Sequence, residues 1–424
     1  MLDRLFALET FGIKLGLDNI TRLCAALDHP ERRFTTLHIA GTNGKGSVTA
    51  MVHAALLAGG VRSARYTSPH LLSLNERFVI GARPVPEDTL EAVGTEVLDL
   101  AERLRDAGTL SVTPTFFEVT TAIGFELFRR ANTEVGVIEV GLGGRFDATN
   151  VIEPVAGAIT TIAFDHQQHL GNTLAQIAFE KAGIIKPGMT VVAGPLPPDA
   201  TRVVRNASLD RGATLLETAD LSMGVEMQDG RARITVETPV AMYGPLRLAL
   251  RGEHQAANAL VAIRLLEAAQ AHGISIEQSA IVRGLETAEW PARLELLTMG
   301  GGKRILLDAA HNAEGAAALA SYLRRWHPER PTLVIGIMRD KDVDEILRPL
   351  LPCVSRVITT AAPTPRALPA ADLAHHIGPT ANVIAEPLEA IEHAMRMNDT
   401  VCVAGSIFLA GAVRDDLKRR AILS

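Results

Sequence analysis

The sequence predicts an α/β protein in two parts: a mainly parallel sheet with a small antiparallel edge sheet, then a second α/β unit. Three observations predict this. The 424 residues are too many for one ordinary domain, and 47% of them are hydrophobic, which suffices for a sizeable core. Short β-rich runs alternate with helical patterns in the first half of the chain. After an interval of different pattern, this alternation resumes from Arg304.

Parallel strands joined by helices are predicted along the first half. Residues 36–40 (TLHIA) form the first predicted strand. A helix begins at Ser47, where apolar residues recur at i, i+3 and i+4, and it ends at Gly59 and Gly60. The next predicted elements are a helix and two strands, over residues 115–129, 134–140 and 155–164. Such alternation places helices on both faces of a parallel sheet.

The pattern changes between residues 195 and 250. Apolar and polar residues alternate there, most clearly over 232–236 and 246–250, which indicates antiparallel strands at a sheet edge. A helix over 254–272 follows. This interval separates the two α/β parts of the chain.

The boundary between the two parts is expected near residues 290–300, around the turn formed by the glycines at 300–302. The segments ILLDAA, TLVIGIM, RVITTAA and TVCVAGS are then predicted strands, with a helix over 313–326 after the first. This arrangement predicts a Rossmann-like α/β domain at the C-terminal end.

Composition excludes several classes of protein. The formal charge of -6 disfavours a nucleic-acid-binding protein, which usually has a basic excess. The cysteines Cys24, Cys353 and Cys402 are far apart and lack metal-binding spacing, which indicates a reduced, cytoplasmic protein. The N-terminus lacks a basic-then-apolar signal pattern, and no window has the roughly 18 apolar residues needed to cross a membrane.

The most specific local pattern is GTNGKGS, residues 41–47, between a predicted strand and a predicted helix. Glycines let backbone N–H groups approach phosphates, and a helix N-terminus favours negative charge. Lys45 can reach the β- and γ-phosphates, and Ser47 can contact Mg²⁺ or a phosphate. The segment departs from G-x-x-x-x-G-K-[ST], because Ile39 takes the first glycine position and Gly46 separates lysine from serine. A simple glycine turn is the alternative interpretation.

A predicted helix over 173–183 carries a lysine on its apolar face. Thr173 and Gln176 have the spacing of a capping box. The apolar positions begin at Leu174, and Lys181 occupies the i+7 position of the same face. A buried ammonium tends to lose its proton, and a neutral amine can add carbon dioxide to become a carbamate that binds Mg²⁺. A lysine whose ammonium reaches a nearby acid is the alternative.

These segments, with others, resemble the Mur ligase superfamily, and within it the dihydrofolate synthase/folylpolyglutamate synthase family rather than the cell-wall ligases. The similarity covers nearly the whole chain, and the segments are jointly highly specific. Besides 41–47 they are YTSPHL, NER, TFFE, EVGLGGRFDATN, DH and EKAGI, at 66–71, 75–77, 115–118, 139–150, 165–166 and 180–184. The resemblance implies an ATP-binding central domain with a folate pocket over residues 1–292 and a C-terminal glutamate-ligase domain over 293–424.

The resemblance also implies which residues bind ATP and metal. For ATP they are Thr42, Asn43, Gly44, Lys45, Gly46, Ser47, Asn258, Arg293 and Asp308. For Mg²⁺ they are Ser68, Glu139, His166 and Lys181 as its carbamate. From the residues alone, Glu139 could instead be a buried ion partner, Ser68 a loop serine, and His166 a structural or acid–base residue. This chain has Ala292 before Arg293, where the family segment has glycine.

A pocket for the pterin ring is implied in the first domain. Its residues are Arg65, Tyr66, Thr67, Thr115, Phe116, Phe117, Glu118, Phe146, Asp147 and Ala148. Aromatic side chains suit a flat heterocycle, and carboxylates suit its ring N–H groups. Since Phe116 and Phe117 lie in an apolar helix, at least one of them is expected in the core.

Three residues of the second domain are candidates for handling glutamate. His311 would orient the incoming glutamate or the acyl phosphate, and a helix-start histidine near a phosphate is its alternative. Lys341 and Ser406 would recognise the glutamate carboxylates, or else are an exposed ion-pair lysine and a turn serine. The candidate catalytic residues of the whole chain are Lys45, Lys181, His166 and His311.

The implied reaction is an ATP-dependent amide ligation. The carboxylate of dihydropteroate or a folate attacks the γ-phosphate, and the amine of L-glutamate attacks the resulting acyl phosphate. The resemblance implies two Mg²⁺ ions, with a monovalent cation such as K⁺ as a further candidate. It also implies small-molecule substrates only, with no nucleic acid or membrane, and a monomeric enzyme.

Two alternatives remain at this point. One is a Mur-type ligase acting on a cell-wall precursor, but the residues before Gly41 are too few for a separate uridine-nucleotide domain. The other is a phosphate-loop switch without ligase chemistry. That interpretation does not explain why Glu139, His166 and Lys181 occur together with a second α/β domain.

Overall fold

The computed structural model describes residues 1–11 and 16–420. The chain divides into two compact units. The first contains Met1–Gly224, Ile234–Leu246 and Ala257–Ala288, and the second contains Val225–Arg233, Arg247–Ala256 and the chain from Glu289. Each compact unit contains several separate segments of the chain. The expected single boundary between residues 292 and 293 therefore stays a prediction.

One sheet forms the centre of the first unit. Its strands are β1 (Thr35–Ala40), β2 (Ser63–Tyr66), β3 (Phe78–Ile80), β4 (Arg83–Pro84), β5 (Val135–Glu139), β6 (Ala156–Ile159), β7 (Thr190–Ala193) and β8 (Thr214–Glu217). Over the described residues it has 8 strands in the order β4-β3-β2-β5-β1-β6-β7-β8. The six strands from β2 to β8 in this order run parallel, whereas β3 and β4 form an antiparallel edge. The predicted mainly parallel sheet is thereby confirmed.

Helices connect and follow these strands. They are α1 (Leu2–Ala7), α2 (Asp18–Ala26), α3 (Lys45–Ala58), α4 (Glu87–Asp106), α5 (Phe116–Arg130), α6 (Gln167–Leu170), α7 (Leu174–Ala182), α8 (Pro198–Asp210), α9 (His254–Ala271) and α10 (Gln278–Thr287). Helix α3 is buried along most of its length because it packs on β1, β2 and β5 and against α10. No helix in the described ranges is long and apolar enough to cross a membrane.

The antiparallel strands expected over 232–236 and 246–250 are confirmed, whereas the start of the interval 195–250 is helical. Helix α8 occupies the start of this interval, and β8 pairs in parallel with β7. Antiparallel strands begin only at β9 (Met223–Gln228), followed by β10 (Arg231–Glu237) and β11 (Met242–Arg251). These form a separate 3-stranded sheet rather than an edge of the large one. The amphipathic pattern over α8 has helical rather than strand period, which explains the correction.

A second sheet, of 6 strands in the described chain, forms the centre of the second unit in the order β12-β13-β17-β14-β15-β16. These are β12 (Glu295–Thr298), β13 (Arg304–Leu307), β14 (Thr332–Ile335), β15 (Arg356–Thr359), β16 (Ala381–Val383) and β17 (Thr400–Ala404). The helices are α11 (Ala313–Trp326), α12 (Val343–Leu350), α13 (Ala370–Ile377), α14 (Pro387–Met397) and α15 (Ile407–Arg419). All strands but β12 run parallel, so the predicted C-terminal α/β domain is confirmed.

Candidate active site

Three loops leave the large sheet side by side. In the strand register, Ile39 of β1 pairs with Glu139 of β5, and Ala40 pairs with Ile159 of β6. The carboxyl ends of these neighbouring strands therefore lie at one edge, where ligands of open α/β sheets collect. The phosphate-loop segment 41–47 follows the middle strand of the three.

The phosphate loop turns sharply into helix α3. Gly44 is the N-cap residue and has φ 85°, a left-handed conformation that favours glycine. A Cβ atom at Gly44 would lie 2.4 Å from Oδ1 of Asn258. The predicted nucleotide residue Asn258 thus lies directly against the loop.

Two threonines that follow β6 hold the loop from the other side. The hydroxyl of Thr160 donates to the carbonyl of Asn43 at 2.6 Å. The carbonyl of Thr161 accepts from the N–H of Thr42 at 2.8 Å, and its hydroxyl accepts from the N–H of Asn43 at 3.0 Å. Because residues after Ile159 bond to the loop instead of continuing the ladder, β6 is shorter than the predicted strand over 155–164.

Lys181 is buried on helix α7, as its position on the apolar face predicts, with 5% of its surface exposed. Its Nζ donates to the carbonyl of Gly41 at 2.8 Å, and Nζ of Lys45 donates to the same oxygen at 3.0 Å. Burial, and then the positive charge of Lys45, lower the pKa of Lys181 to about 7. Asp165 and Asp147 oppose this shift. At neutral pH a substantial fraction of the amine is therefore uncharged.

The start of α7 forms as predicted. The hydroxyl of Thr173 accepts from the N–H of Gln176, and the side chain of Gln176 accepts from the N–H of Thr173, which is a capping box. This cap fixes the register of the helix that carries Lys181.

The glycine-rich loop after β5 packs against the other end of α7. A Cβ atom at Gly144 would lie 2.8 Å from the carbonyl oxygen of Lys181. The N–H of Arg145 donates to the carbonyl of Glu180 at 2.8 Å, and Nδ2 of Asn150 donates to the carbonyl of Gly183 at 3.1 Å. This close approach positions the backbone around Lys181.

Oxygen donors for a metal lie beside the phosphate loop. Glu139 is buried at the end of β5, and its Oε2 accepts from the N–H of Ser68 at 3.3 Å. His166 has φ 49° and lies beside Asp165, with 3.8 Å between its Nε2 and Oδ1 of Asp165. Over residues 1–11 and 16–420, no group of three or more His, Cys, Asp or Glu side chains is arranged to hold a metal ion. Carboxylate and hydroxyl oxygens such as those of Glu139 and Ser68 are the ligand type that Mg²⁺ prefers.

The predicted pterin-pocket aromatics surround the start of helix α5. Tyr66 is buried at the end of β2, and its ring centre lies 6.2 Å from that of Phe117. Phe117 is half-buried and faces the glycine loop, since a Cβ atom at Gly141 would lie 2.4 Å from its Cζ. Phe116 is buried and stacks on Phe6 at 5.6 Å. As expected, at least one of these phenylalanines belongs to the core.

The two predicted pocket carboxylates are hydrogen-bonded to their own segments. Glu118 accepts from the N–H and the hydroxyl of Thr115 at 2.7 and 2.9 Å, which caps α5. Asp147 is buried and accepts from the N–H groups of Leu142 and Thr149 at 2.7 and 3.0 Å. Burial raises the pKa of Asp147, and these hydrogen bonds lower it.

The remaining pocket residues lie in or directly after β2 and on either side of Asp147. Thr67 and Ala148 are buried, whereas Arg65 and Phe146 are half-buried. The guanidinium of Arg145 lies over the ring of Phe146, 4.6 Å from its centre. Arg65 and Phe146 are thus partly accessible where the pocket is predicted.

Arg77 is a pocket candidate that our sequence analysis did not single out. It is buried, and its guanidinium lies 5.1 Å from the ring centre of Phe116. Its Nε donates to Nδ1 of His70 at 2.9 Å. The signal was present in the NER segment, where a charged residue directly precedes the apolar strand β3.

In the second unit, Asp308 follows β13 and is buried. Its carboxylate accepts from the N–H groups of Leu294 and Ala310 at 2.8 and 2.9 Å. Burial raises the pKa of Asp308, and the positive charge of Arg293 opposes this shift. These two predicted nucleotide residues therefore interact electrostatically. Ala292, where the family segment has glycine, has φ 55°.

The predicted glutamate-handling residues lie at neighbouring strand ends. Nδ1 of His311 lies 2.9 Å from the carbonyl oxygen of Ala309, after β13. Ser406 is buried at the end of β17 and caps α15, since its Oγ accepts from the N–H of Phe408 at 3.1 Å. Lys341 follows β14 with its side chain mostly buried, and its Nζ lies 4.0 Å from Oδ2 of Asp340.

Comparison with known proteins identifies the family. Residues 292–407 match the family described as Mur ligase, glutamate ligase domain. The dihydrofolate synthase/folylpolyglutamate synthase of Bacillus subtilis is 33% identical over 418 residues, which is 96% of each chain. The Mycobacterium tuberculosis folylpolyglutamate synthase complexed with ADP has a TM-score of 0.90 and 33% identity, covering 98% of both chains. The Yersinia pestis bifunctional folylpolyglutamate synthase/dihydrofolate synthase, complexed with AMPPNP and a Mn ion, has a TM-score of 0.85 and 29% identity, covering 98% of this chain and 97% of that one.

The chain belongs to the dihydrofolate synthase/folylpolyglutamate synthase family. It is accordingly a ligase that forms carbon–nitrogen bonds, and the predicted resemblance and fold class are confirmed. The roles of the individual residues remain predictions.

For this dihydrofolate synthase/folylpolyglutamate synthase family member, sequence reasoning found the phosphate loop and the buried lysine, but it missed the groups that hold them. Thr160 and Thr161 are the clearest case. Adjacent threonines after a buried strand are a weak signal, because only the sheet register shows that they face residues 42 and 43.

Proposed function

We propose that this chain ligates L-glutamate to dihydropteroate, forming dihydrofolate, and to the γ-carboxylate of reduced folates, with conversion of ATP to ADP and phosphate. Family membership supports the reaction class. The single observation that carries it further is the meeting of Lys45 and Lys181, from different helices, at the carbonyl of Gly41. Lys45 supplies positive charge that suits the stabilisation of a transferring phosphoryl group, and Lys181 beside it offers the nitrogen that would carry the carbamate.

The proposed chemistry has two steps. A carboxylate oxygen of the acceptor attacks the γ-phosphorus, and the bond from that phosphorus to the ADP oxygen breaks. The amine of glutamate then attacks the acyl-phosphate carbonyl, and the tetrahedral intermediate collapses to an amide and phosphate after the nitrogen has lost its proton. Lys45 and the backbone N–H groups at the start of α3 bind the phosphates, because a helix N-terminus favours negative charge.

Glu139 and Ser68 fit a Mg²⁺ ion, since both offer hard oxygens next to the phosphate loop. Lys181 supplies a further oxygen ligand as a carbamate: its neutral nitrogen bonds to the carbon of carbon dioxide and releases a proton. The pKa of about 7 supports this modification. His166 completes the set, and two bound Mg²⁺ ions would neutralise charge on the phosphates, with K⁺ as a further candidate cation.

The other assignments are part of the same proposal. Residues of the pocket described above bind the pterin ring, with Arg77 added to the predicted set. Asn258, Arg293 and Asp308 are assigned to the nucleotide, and His311, Lys341 and Ser406 to glutamate or the acyl phosphate.

Glutamate-dependent phosphate release from ATP tests this function. We expect release with dihydropteroate and with tetrahydrofolate as acceptors, and none with a nucleotide-linked cell-wall peptide. Phosphate release only with the peptide would favour the other Mur-type activity. Failure of every acceptor to support glutamate-dependent phosphate release would indicate a protein that is not a ligase. Lys45→Ala should abolish release, whereas Lys303→Ala should not, because Lys303 donates to the carbonyl of Met395 in the second unit. Light scattering during size-exclusion chromatography tests the predicted monomer.

A further inference from the structure

Three buried side chains form a string of hydrogen bonds beneath the glycine-rich loop. His38 lies in β1, and its Nε2 is 2.9 Å from the hydroxyl oxygen of Thr149. That hydroxyl donates to Oδ1 of Asp147. The exposed fractions of His38, Thr149 and Asp147 are 0%, 0% and 5%. Water therefore does not substitute for any member of the string.

The direction of the string follows from its donors and acceptors. Asp147 accepts from the Thr149 hydroxyl and from the backbone N–H groups of Leu142 and Thr149. The single hydroxyl hydrogen of Thr149 is directed to Asp147, so Nε2 of His38 must carry the hydrogen that points to Thr149. Within the described chain Nδ1 of His38 is buried without a partner, and a bare lone pair there costs less than an unpaired N–H. Burial lowers the pKa of His38 to about 3, consistent with a neutral ring.

The string ends on the residue that closes the loop. Asp147 bonds to the N–H of Leu142, five residues earlier in the chain, and so fixes the intervening turn. Phe146 and Ala148, both predicted to contact the pterin ring, flank Asp147. The same turn includes Gly144, which packs on the carbonyl of Lys181. Any rotation of the Asp147 carboxylate would therefore move pocket residues.

We propose that His38 is a positioning residue for the folate acceptor: its Nε2 hydrogen orients the Thr149 hydroxyl, which holds Asp147 and the turn over residues 142–147 in the shape that binds the pterin ring. His38 itself lies in the sheet and touches no substrate. This inference rests on the proposed function. It differs from a packing role for His38, because it requires the donor hydrogen and not only the volume of the ring.

Matched variants separate these roles. In His38→Gln the amide nitrogen replaces Nε2 as a donor, whereas His38→Leu fills space without one. Thr149→Val removes the middle member at nearly constant volume. Thr332→Val is the control, since Thr332 is also buried and its hydroxyl has no partner among the residues described.

We expect His38→Leu and Thr149→Val to raise the KM for dihydropteroate about tenfold, the effect of losing one buried hydrogen bond. The KM for ATP should change less than about twofold, because no member of the string bonds to the phosphate loop. His38→Gln should recover most of the wild-type KM, and Thr332→Val should leave both constants unchanged. Equal rises in both KM values, or identical behaviour of the Gln and Leu variants, would overturn the proposal.

A ligand-free measurement keeps this outcome distinct from failure of the proposed function, which wild-type turnover alone tests. Hydrogen exchange of the backbone N–H groups over residues 142–149 should accelerate in His38→Leu and not in His38→Gln or Thr332→Val. Unchanged exchange in His38→Leu would show that the histidine does not hold the turn, whatever the enzyme's substrate.

Discussion

Two ammonium groups donate to one carbonyl oxygen at the start of the phosphate loop, at 2.8 Å from Lys181 and 3.0 Å from Lys45. Burial, and then the positive charge of Lys45, lower the pKa of Lys181 to about 7. The lowered pKa favours the neutral amine, which is the form that the proposed carbamate requires.

Activity of enzyme depleted of carbon dioxide should therefore respond to bicarbonate in a pH-dependent way. Because a pKa of about 7 leaves half of the amine charged at pH 7, reactivation at a fixed carbon dioxide concentration should rise from pH 6 to about pH 8 and then level off. Lys181→Ala should lose at least about 100-fold in turnover, as expected when a group that stabilises the transferred phosphoryl is removed, while Lys303→Ala responds like the wild type. Full turnover of Lys181→Ala with and without bicarbonate would end the carbamate hypothesis.

The left-handed conformation of Ala292 leads to a prediction about the stability of the protein. The φ of 55° at this residue costs about 1 kcal/mol for a residue with a Cβ atom, and glycine would avoid that cost. Ala292→Gly should therefore destabilise the protein less than Ala404→Gly, by about 1 kcal/mol, because Ala404 is equally buried in a regular strand. Urea unfolding of the two variants measures the difference. An equal loss of stability would show that the left-handed conformation carries no strain.

At the scale of elements, helix α7 and the glycine-rich loop fit together through backbone contact. A methyl group at Gly144 would lie 2.8 Å and 2.9 Å from the carbonyl oxygens of Lys181 and Glu180, neither of which is a flexible side chain. The loop or the helix end must shift, and with it the lysine.

Gly144→Ala should consequently lower kcat at least about tenfold, since a displacement of about 1 Å in a catalytic site can cost 100-fold. Gly300→Ala is the control, because a Cβ atom there meets open space. Steady-state kinetics with dihydropteroate test this. If both variants keep wild-type kcat, the contact of the loop with α7 does not position Lys181.

Helices and strands were predictable from the sequence where one hydrophobic period dominates a segment. The helix over 313–326 has the predicted bounds, and the predicted capping box at Thr173 marks the start of α7. The strand after residue 155 was predicted too long, because Thr160 and Thr161 are β-formers whose hydrogen bonds go to the phosphate loop.

At the scale of the whole molecule, the second unit takes in two earlier segments, Val225–Arg233 and Arg247–Ala256. Within this unit a Cβ atom at Gly230 would lie 2.4 Å from the hydroxyl oxygen of Tyr322, and Arg325 pairs with Glu253 at 3.6 Å. Contacts between segments so far apart in the chain cannot be read from local sequence patterns. The sequence therefore predicted a single domain boundary.

A fragment of residues 293–424 should therefore melt at a lower temperature than the same unit in the full chain. The fragment lacks the segments that cover Tyr322, whose surface is only 5% exposed in the full chain. Circular dichroism of the fragment and calorimetry of the full chain provide the comparison. Equal melting temperatures would show that the earlier segments add no stability to this unit.

The sequence by itself determined the α/β class, the phosphate loop, the inward lysine and the family, because each is encoded in local spacing or in short motifs. Only the tertiary structure decided that Lys45 and Lys181 meet at Gly41, that Thr160 and Thr161 hold the loop, and that His38 reaches Asp147 through Thr149. These contacts join residues more than a hundred positions apart, and they depend on sheet order and register, which local pattern does not encode.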